Sequence, residues 1–297
     1  MSTSVSRKLT ILALCAAFTA CAESRPTPVT AEHAAAGSAS PTVLTLEPYG
    51  PNLKVIQVRV GGQTRPFILD TGGGTTLVTP EVAKAAGCTP FGRLSGFRAV
   101  GERLDSQRCG PLTLALGATG PAVTPGEVAV FDLTPLLGGG PPVGGLVTLN
   151  AFEGQAITLD LAGERLILET PASLARRTRN LRPLTVRAAR QAGGASLDLM
   201  LAVETPQGLI WLEADSGNAG PVQISPHALR QLGVEIPQGT RQKITLNVAG
   251  LGPVEVEAME RDLIYDGLLN AAFLKNLVLT VDLGSMKAWA AVKNKEG

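Results

Sequence analysis

Two segments of the chain repeat one local pattern, and this repeat limits the possible folds more than any other feature of the sequence. Residues 67–87 read FILDTGGGTTLVTPEVAKAAG, and residues 211–233 read WLEADSGNAGPVQISPHALRQLG. In both, an apolar run leads into Asp-(Thr/Ser)-Gly, a loop of small residues, a short apolar strand, Thr/Ser-Pro and a helix. The spacing between the copies is far too long for a solenoid, so the pattern predicts a duplicated domain.

The sequence before each acid predicts a β-hairpin. Residues 53–70 alternate apolar and polar side chains, turn at Gly61-Gly62 and return as an apolar strand that ends at Asp70. Residues 197–215 do the same and end at Asp215. Alternation with a period of two, interrupted by a glycine turn, is typical of two antiparallel strands.

The sequence after each acid predicts a short helix. Thr79-Pro80 and Ser225-Pro226 each place a hydroxyl at the N-cap and proline at the first helical position. Gly87 and Gly233 then follow, as expected where a helix ends.

The ends of the two copies also match. Residues 144–168 and 266–290 both contain a Gly-Leu, then Leu-Asn-Ala, a phenylalanine and a strand that runs into Asp-Leu. The acids of these last strands, Asp160 and Asp282, precede glycine turns, so we interpret them as turn residues rather than catalytic groups.

The middle of the first copy is longer and contains two cysteines. Asp70 and Gly145 are 75 positions apart, whereas Asp215 and Gly267 are 52 apart. The additional 23 positions cover the region of Cys88 and Cys109. The other two cysteines lie in residues 1–21, which resemble an export signal. In an exported protein the two cysteines left in the mature chain usually form a disulfide, and two free buried thiols are the alternative.

The N-terminus has the pattern of an export signal. Residues 1–21 contain a basic start, an apolar run too short to span a bilayer and the sequence Phe-Thr-Ala-Cys, which resembles a bacterial lipobox. This predicts lipidation of Cys21, and an ordinary signal cleaved near Ala20 or Ala22 is the alternative. Residues 22–42 are rich in Ala, Ser, Thr and Pro and predict a flexible tether to the membrane.

Composition restricts the available chemistry. The formal net charge is +1, which gives no electrostatic reason to expect nucleic acid as a partner. The chain has only two histidines, His33 in the tether and His227 in a predicted helix. A Ser-His-Asp triad or a histidine-rich metal site is therefore hard to build, and we expect no metal and no cofactor. The acid–base groups of an enzyme with this composition are carboxylates.

The repeated acids can form one site. Two homologous lobes pack about a pseudo-two-fold axis, and equivalent residues near this axis face each other. If Asp70 and Asp215 lie there, the two carboxyl groups share one proton, and one can act as base while the other acts as acid. This dyad would be supported by hydroxyl groups that form hydrogen bonds between the lobes and by glycines that let the two backbone loops approach closely. The supporting residues are Thr71, Gly72, Ser216 and Gly217.

At these residues the sequence resembles the pepsin and retropepsin clan of aspartic proteases. Asp70-Thr71-Gly72 and Asp215-Ser216-Gly217 fall on the clan motif, and the match covers residues 43–293. The chain looks like a single-chain bacterial lipoprotein member with two retropepsin-like lobes. The resemblance implies an all-β, bilobal acid-protease fold with two closed β lobes and one short helix in each. The corresponding boundaries are 43–172, a linker at 173–190, and 191–297.

The resemblance also implies a flap over the cleft between the lobes. We place this flap at the 94–108 hairpin, with its turn at Val100, Gly101 and Glu102 and its base fixed by a Cys88–Cys109 disulfide.

One residue departs from the clan pattern. Glu213 stands two positions before Asp215, where an apolar residue is expected, and Ile68 is its counterpart. Strand alternation puts Glu213 on the same side as Asp215. It would either perturb the dyad or face solvent at the end of the strand, and we favour solvent.

Two functions fit the sequence. The first is a membrane-tethered aspartic endopeptidase that cleaves a peptide or protein substrate with water activated by the dyad. The second is a catalytically inactive protein of the same fold that binds an envelope peptide or polymer in its cleft. In either case we expect a monomer in the bacterial envelope, anchored by lipid in the outer membrane and facing the periplasm.

Overall fold

Alternating strands and glycine turns dominate the described part of the chain, which comprises residues 40–118 and 120–293 of a computed structural model. The signal peptide predicted at 1–21, its Cys21, and residues 22–39 of the predicted tether lie outside the described residues. The strands of the first half are β1 (Thr42–Thr45), β2 (Glu47–Tyr49), β3 (Leu53–Val60), β4 (Gln63–Leu69), β5 (Leu77–Val78), β6 (Phe91–Phe97), β7 (Arg103–Gly110), β8 (Leu114–Leu116), β9 (Ala122–Val123), β10 (Val128–Val130), β11 (Gly145–Val147), β12 (Ala156–Asp160) and β13 (Arg165–Glu169). Those of the second half are β14 (Pro183–Leu184), β15 (Val186–Ala189), β16 (Asp198–Thr205), β17 (Gly208–Ala214), β18 (Val222–Ile224), β19 (Gln242–Val248), β20 (Gly252–Glu260), β21 (Gly267–Leu269), β22 (Leu277–Asp282) and β23 (Lys287–Val292).

Helices are short in the described residues. They are α1 (Pro80–Ala85), α2 (Pro171–Thr178), α3 (Pro226–Leu232) and α4 (Ala271–Lys275), with 3₁₀ turns at Thr134–Leu136, Leu149–Phe152 and Ala192–Gly194. Helices α1 and α3 are the predicted pair, since Thr79 Oγ1 and Ser225 Oγ cap their first turns. The segment predicted as a linker, 173–190, contains most of α2 together with β14 and β15. No helix among the described residues has the length and apolar character needed to cross a membrane.

The two halves form equivalent lobes. In the first, β4 runs parallel to β11 and antiparallel to β3; in the second, β17 runs parallel to β21 and antiparallel to β16. The second-lobe strands β16, β17, β21, β18, β20 and β19 close into a ring because β19 also pairs with β16. The first-lobe sheet is open, since β8 occupies the free edge of β3 and β6–β7 extends away as a hairpin. The all-β bilobal fold is thus confirmed, with one closed lobe and one half-open lobe.

A third sheet joins the lobes. Its strand order is β1-β13-β12-β22-β23-β14, so the last hairpins of both lobes pair edge to edge through β12 and β22. At this junction Thr158 faces its counterpart Thr280, and their hydroxyl oxygens lie 2.9 Å apart. The pairing of equivalent residues shows where the pseudo-two-fold axis passes between the lobes.

The apolar core is continuous through both lobes, and both belong to one compact unit. A smaller cluster in the first lobe lies apart from it and contains Val55, Ile68, Leu133 and Val143. This cluster lies on the same face of β3–β4 as Asp70, because residues two apart on a strand share a face.

Candidate active site

Asp70 and Asp215 lie immediately after two equivalent strands. The Asp70 amide donates to the Val147 carbonyl at 3.0 Å, and the Asp215 amide donates to the Leu269 carbonyl at 3.3 Å. Each parallel neighbour strand therefore fixes the main chain of one acid. The structure brings both carboxyl groups together, and they share a hydrogen bond.

The glycines two positions after the acids permit this contact. A Cβ on Gly72 would lie 2.6 Å from Cγ of Asp215, and a Cβ on Gly217 would lie 2.5 Å from Cγ of Asp70. Both distances are shorter than any tolerable carbon–carbon contact. The amides of the same glycines donate to the acid of their own loop, at 3.1 Å for Gly72 and 2.7 Å for Gly217.

A reciprocal network of hydrogen bonds joins the two acid loops. The Thr71 hydroxyl accepts from the Ser216 amide at 3.0 Å and donates to the Ala214 carbonyl at 2.5 Å. The Ser216 hydroxyl accepts from the Thr71 amide at 3.0 Å and donates to the Leu69 carbonyl at 2.8 Å. Both side chains are buried, so the network holds the dyad in the low-dielectric interface of the lobes.

The two acids of the dyad have different surroundings. Burial raises the pKa of Asp70 and of Asp215. For Asp215 the negative charges of Asp70 and Glu213 raise the pKa further, whereas for Asp70 the Gly72 amide and the hydrogen bond from Asp215 counteract the effect of burial. Because both pKa values are raised and the two carboxyl groups interact directly, the pair titrates as a unit and holds one proton between its members, so that one carboxyl can act as base while the other acts as acid.

A second pair of acids lies beside the dyad, and the solvent-facing position favoured for Glu213 is wrong. Glu213 is 5% exposed, accepts a hydrogen bond of 2.6 Å from the Tyr265 hydroxyl and is hydrogen-bonded to Asp198. The reason is that Tyr265, from the irregular segment before β21, and Asp198 of β16 pack against the Glu213 carboxyl group, where solvent was expected. Burial raises the pKa of Glu213 well above its ordinary value, and burial together with the charge of Asp70 raises the pKa of Asp198 to about 7.

Asp198 and Tyr265 were not found as site residues from the sequence. The signal for Asp198 was an acid inside the otherwise apolar run LDLMLAV, on the same strand face as Met200, which pairs with Glu213. Tyr265 carried no local signal, because it lies in an irregular segment between β20 and β21.

The dyad lines a cleft of about 850 Å³ between the lobes, and the predicted flap lines the same cleft. The β6–β7 hairpin turns at residues 98–102, with Gly101 at φ +80°. Its tip reaches the second lobe, since the Ile264 amide donates to the Ala99 carbonyl at 2.9 Å and the Phe97 amide donates to Gln191 Oε1 at 3.1 Å. Val100 and Glu102 of the predicted turn both line the cleft.

The base of this hairpin is covalently fixed. Cys88 follows α1 and Cys109 lies in β7, and a disulfide joins them, with 5.8 Å between their Cα atoms. The predicted disulfide is confirmed. Within residues 40–118 and 120–293, no three His, Cys, Asp or Glu side chains are arranged to hold a metal ion.

The paired lobes and the cleft between them define an aspartic-protease-like bilobal fold. Among solved structures, the crystal structure of basic 7S globulin from soybean has a similar fold, with a TM-score of 0.55 and 12% sequence identity over 86% of this chain and 95% of the globulin chain. No protein-family model matches the chain, and no curated protein matches it in sequence. The structural similarity establishes likeness of fold, but at this low sequence identity function has to be argued from the site.

Proposed function

We propose that the protein is an aspartic endopeptidase that hydrolyses peptide bonds in the cleft between its lobes. The observation that carries the proposal is the hydrogen-bonded pair Asp70 and Asp215, held by reciprocal bonds between Thr71 and Ser216. A carboxylate and a carboxylic acid in contact provide a base and an acid at one place without histidine.

The proposed reaction uses one water molecule. The Asp70 carboxylate takes a proton from water as its oxygen attacks the peptide carbonyl carbon, while Asp215 gives its proton to the carbonyl oxygen. A neutral tetrahedral diol results. The C–N bond then breaks as the nitrogen receives a proton from Asp70 and the diol returns a hydroxyl proton to Asp215. The products are a carboxylic acid and an amine, and the dyad regains its starting protonation.

The proposed location is the bacterial envelope. The lipobox at Cys21 favours a lipid anchor in the outer membrane, with the tether holding the folded lobes in the periplasm as a monomer. The substrate would then be a peptide or protein of that compartment.

The second candidate is a protein that binds an envelope peptide or polymer in the cleft without cleaving it. The two additional acids, Asp198 and Glu213, favour this alternative. The charge of Glu213 raises the pKa of Asp215, and the charge of Asp70 in turn raises the pKa of Asp198 and Glu213. Four acids that oppose one another's ionisation favour a dyad with both carboxyls protonated, and such a dyad contains no base.

Cleavage assays separate the two candidates. A broad peptide library is incubated at acidic and neutral pH with the wild type, Asp70→Asn and Asp215→Asn, with and without a statine-type inhibitor. Because each amide removes either the base or the acid, each variant should lose about 10²- to 10⁴-fold in kcat/KM.

The controls make the result unambiguous. Asp262→Asn, an exposed acid outside the cleft, should cleave like the wild type. Cleavage that survives in both dyad variants would eliminate the proposed mechanism. Binding of library peptides without any cleavage by the wild type would favour the second candidate.

A further inference from the structure

Equivalent strand positions in the two halves of the cleft have apolar side chains in the first lobe and polar side chains in the second. Ile68 pairs with Leu146 in the first lobe, and at the same register Glu213 pairs with Leu268 in the second. Leu77 pairs with Leu146, and its counterpart Gln223 pairs with Leu268. The fold is thus two-fold symmetric at these positions, while the side chains are not.

The first-lobe half of the cleft is apolar. Leu77, Phe131, Leu133 and Leu146 line it and belong to, or pack against, the small apolar cluster around Ile68. Strands β3 and β4 contain no acidic residue, and Asp70 follows directly after β4. A substrate side chain that enters this half meets carbon atoms, so an apolar side chain fits it.

The second-lobe half contains a built acidic site. Glu213 is hydrogen-bonded to Tyr265 on one side and to Asp198 on the other, and all three side chains line the cleft. Asp198 is 4% exposed and interacts with Glu213 and with the Gly74 amide, but its buried Oδ1 makes no hydrogen bond of good geometry among the described residues. The oxygen lies beside Gly74, where a Cβ would be only 3.4 Å away. An unpaired buried carboxylate oxygen is costly unless a donor reaches it.

Among the described residues, the two basic residues that line the cleft, Arg98 and Arg261, leave these acids without a cationic partner. Arg98 and Glu102 of the hairpin tip form an ion pair of 2.7 Å and cancel each other. Arg261 lines the cleft, occupies the register position that Phe131 has in the first lobe, and is exposed. No hydrogen bond or ion pair joins Arg261 to Asp198 among the described residues.

We propose that the second-lobe half of the cleft is a subsite for a positively charged side chain, so that the protein selects peptides with an apolar residue on one side of the reactive bond and a lysine or arginine on the other. The inference rests on the proposed function for the peptide nature of the ligand. An ammonium or guanidinium group supplies a donor to Asp198 Oδ1, and it balances the negative charge of the Asp198–Glu213 pair in its ionised form.

Binding of matched inhibitors tests the subsite without requiring turnover. Two statine-type peptides are compared that differ only in lysine against norleucine, with this residue placed in turn on each side of the statine unit. In one orientation the lysine peptide should bind the wild type about ten- to a hundredfold more tightly, as expected for a hydrogen bond to a charged group. Asp198→Leu, which restores the residue of the equivalent position Leu53, should abolish or reverse this ratio.

The design separates the possible failures. Asp198→Asn serves as a second variant if Asp198→Leu does not fold, and it should also reduce the ratio. The ratio within one variant cancels any common effect on the dyad. Equal binding of both peptides in both orientations, or a ratio unchanged in the variants, would overturn the subsite. A lysine preference without cleavage of the corresponding peptide would retain the subsite and refute the endopeptidase.

Discussion

Single residues show that the site is maintained at a cost to stability. Asp198 and Glu213 occupy positions where the first lobe has apolar residues, and both carboxyls are buried. When a buried carboxyl group with a raised pKa ionises, the free energy of unfolding of the protein falls. An apolar pair would give a more stable protein, and the proposed subsite accounts for the presence of the two acids.

The pH dependence of stability follows from Asp198. Its pKa is raised from 3.8 to about 7 in the folded protein. The folded state therefore retains a proton between these values that the unfolded state has lost, and the free energy of unfolding falls as pH rises through this range. Above pH about 7 the full cost is present, up to about 4 kcal/mol at about 1.4 kcal/mol for each pH unit. Asp198→Asn should be more stable than the wild type at pH 8 and equal to it at pH 3.

Urea denaturation at the two pH values measures this difference. Asp262→Asn is the matched control, because it removes an exposed acid and should leave the wild-type curve unchanged at both pH values. A gain in stability for Asp198→Asn that is the same at pH 3 and pH 8 would contradict the assignment.

At the scale of elements, the β6–β7 hairpin connects the lobes across the cleft. Its base is fixed by the disulfide and its tip is bonded to Ile264 and Gln191 of the second lobe. The tip requires a glycine, because Gly101 has φ +80° and a Cβ there would lie 3.1 Å from Cγ2 of Ile264. The hairpin therefore has a base fixed by the disulfide and a tip that hydrogen bonds and the close approach of Gly101 to Ile264 hold against the second lobe.

Two glycine substitutions distinguish closure from simple backbone strain. Gly62 in the β3–β4 turn has φ +76°, and a Cβ added there would have no other atom within 4 Å. Gly101→Ala and Gly62→Ala should each lose about 1–2 kcal/mol of stability from the left-handed backbone. Only Gly101→Ala should also lower kcat/KM, several-fold, or weaken the binding of a statine-type peptide. Equal effects of both variants on function would show that the tip contact has no part in it.

At the scale of the whole molecule, two of the contacts between the lobes pair hydroxyl residues at equivalent positions. The six-stranded sheet joins them at Thr158 and Thr280, and the acid loops join them at Thr71 and Ser216. Only Thr71 and Ser216 are adjacent to the dyad residues Asp70 and Asp215. Substitutions at this second junction should therefore reduce both stability and function.

A double-mutant cycle tests this difference. Thr71→Val and Ser216→Ala should each cost about 1–3 kcal/mol of unfolding free energy, since each leaves buried polar groups without partners. The double variant should cost less than the sum, because the two hydroxyls belong to one network. Cleavage or inhibitor binding should fall in all three variants.

The comparison is Thr158→Val with Thr280→Val. This pair also bridges the lobes but does not line the cleft. It should reduce stability while leaving cleavage and inhibitor binding close to those of the wild type. Loss of function in this pair equal to that at Thr71 and Ser216 would show that the acid loops have no special role.

Local patterns in the sequence predicted the doubled lobe, the two strands that end in Asp70 and Asp215, the helices capped by Thr79 and Ser225, and the Cys88–Cys109 pair. These features are local, since strand alternation, turn glycines and helix caps act over a few residues. The position of Glu213 and its bonds to Asp198 and Tyr265 could not be predicted in this way, because the three residues come from separate segments. Their contact depends on how residues 261–266 pack over the end of β17, and this packing is set by the folded lobe rather than by any short stretch of the chain.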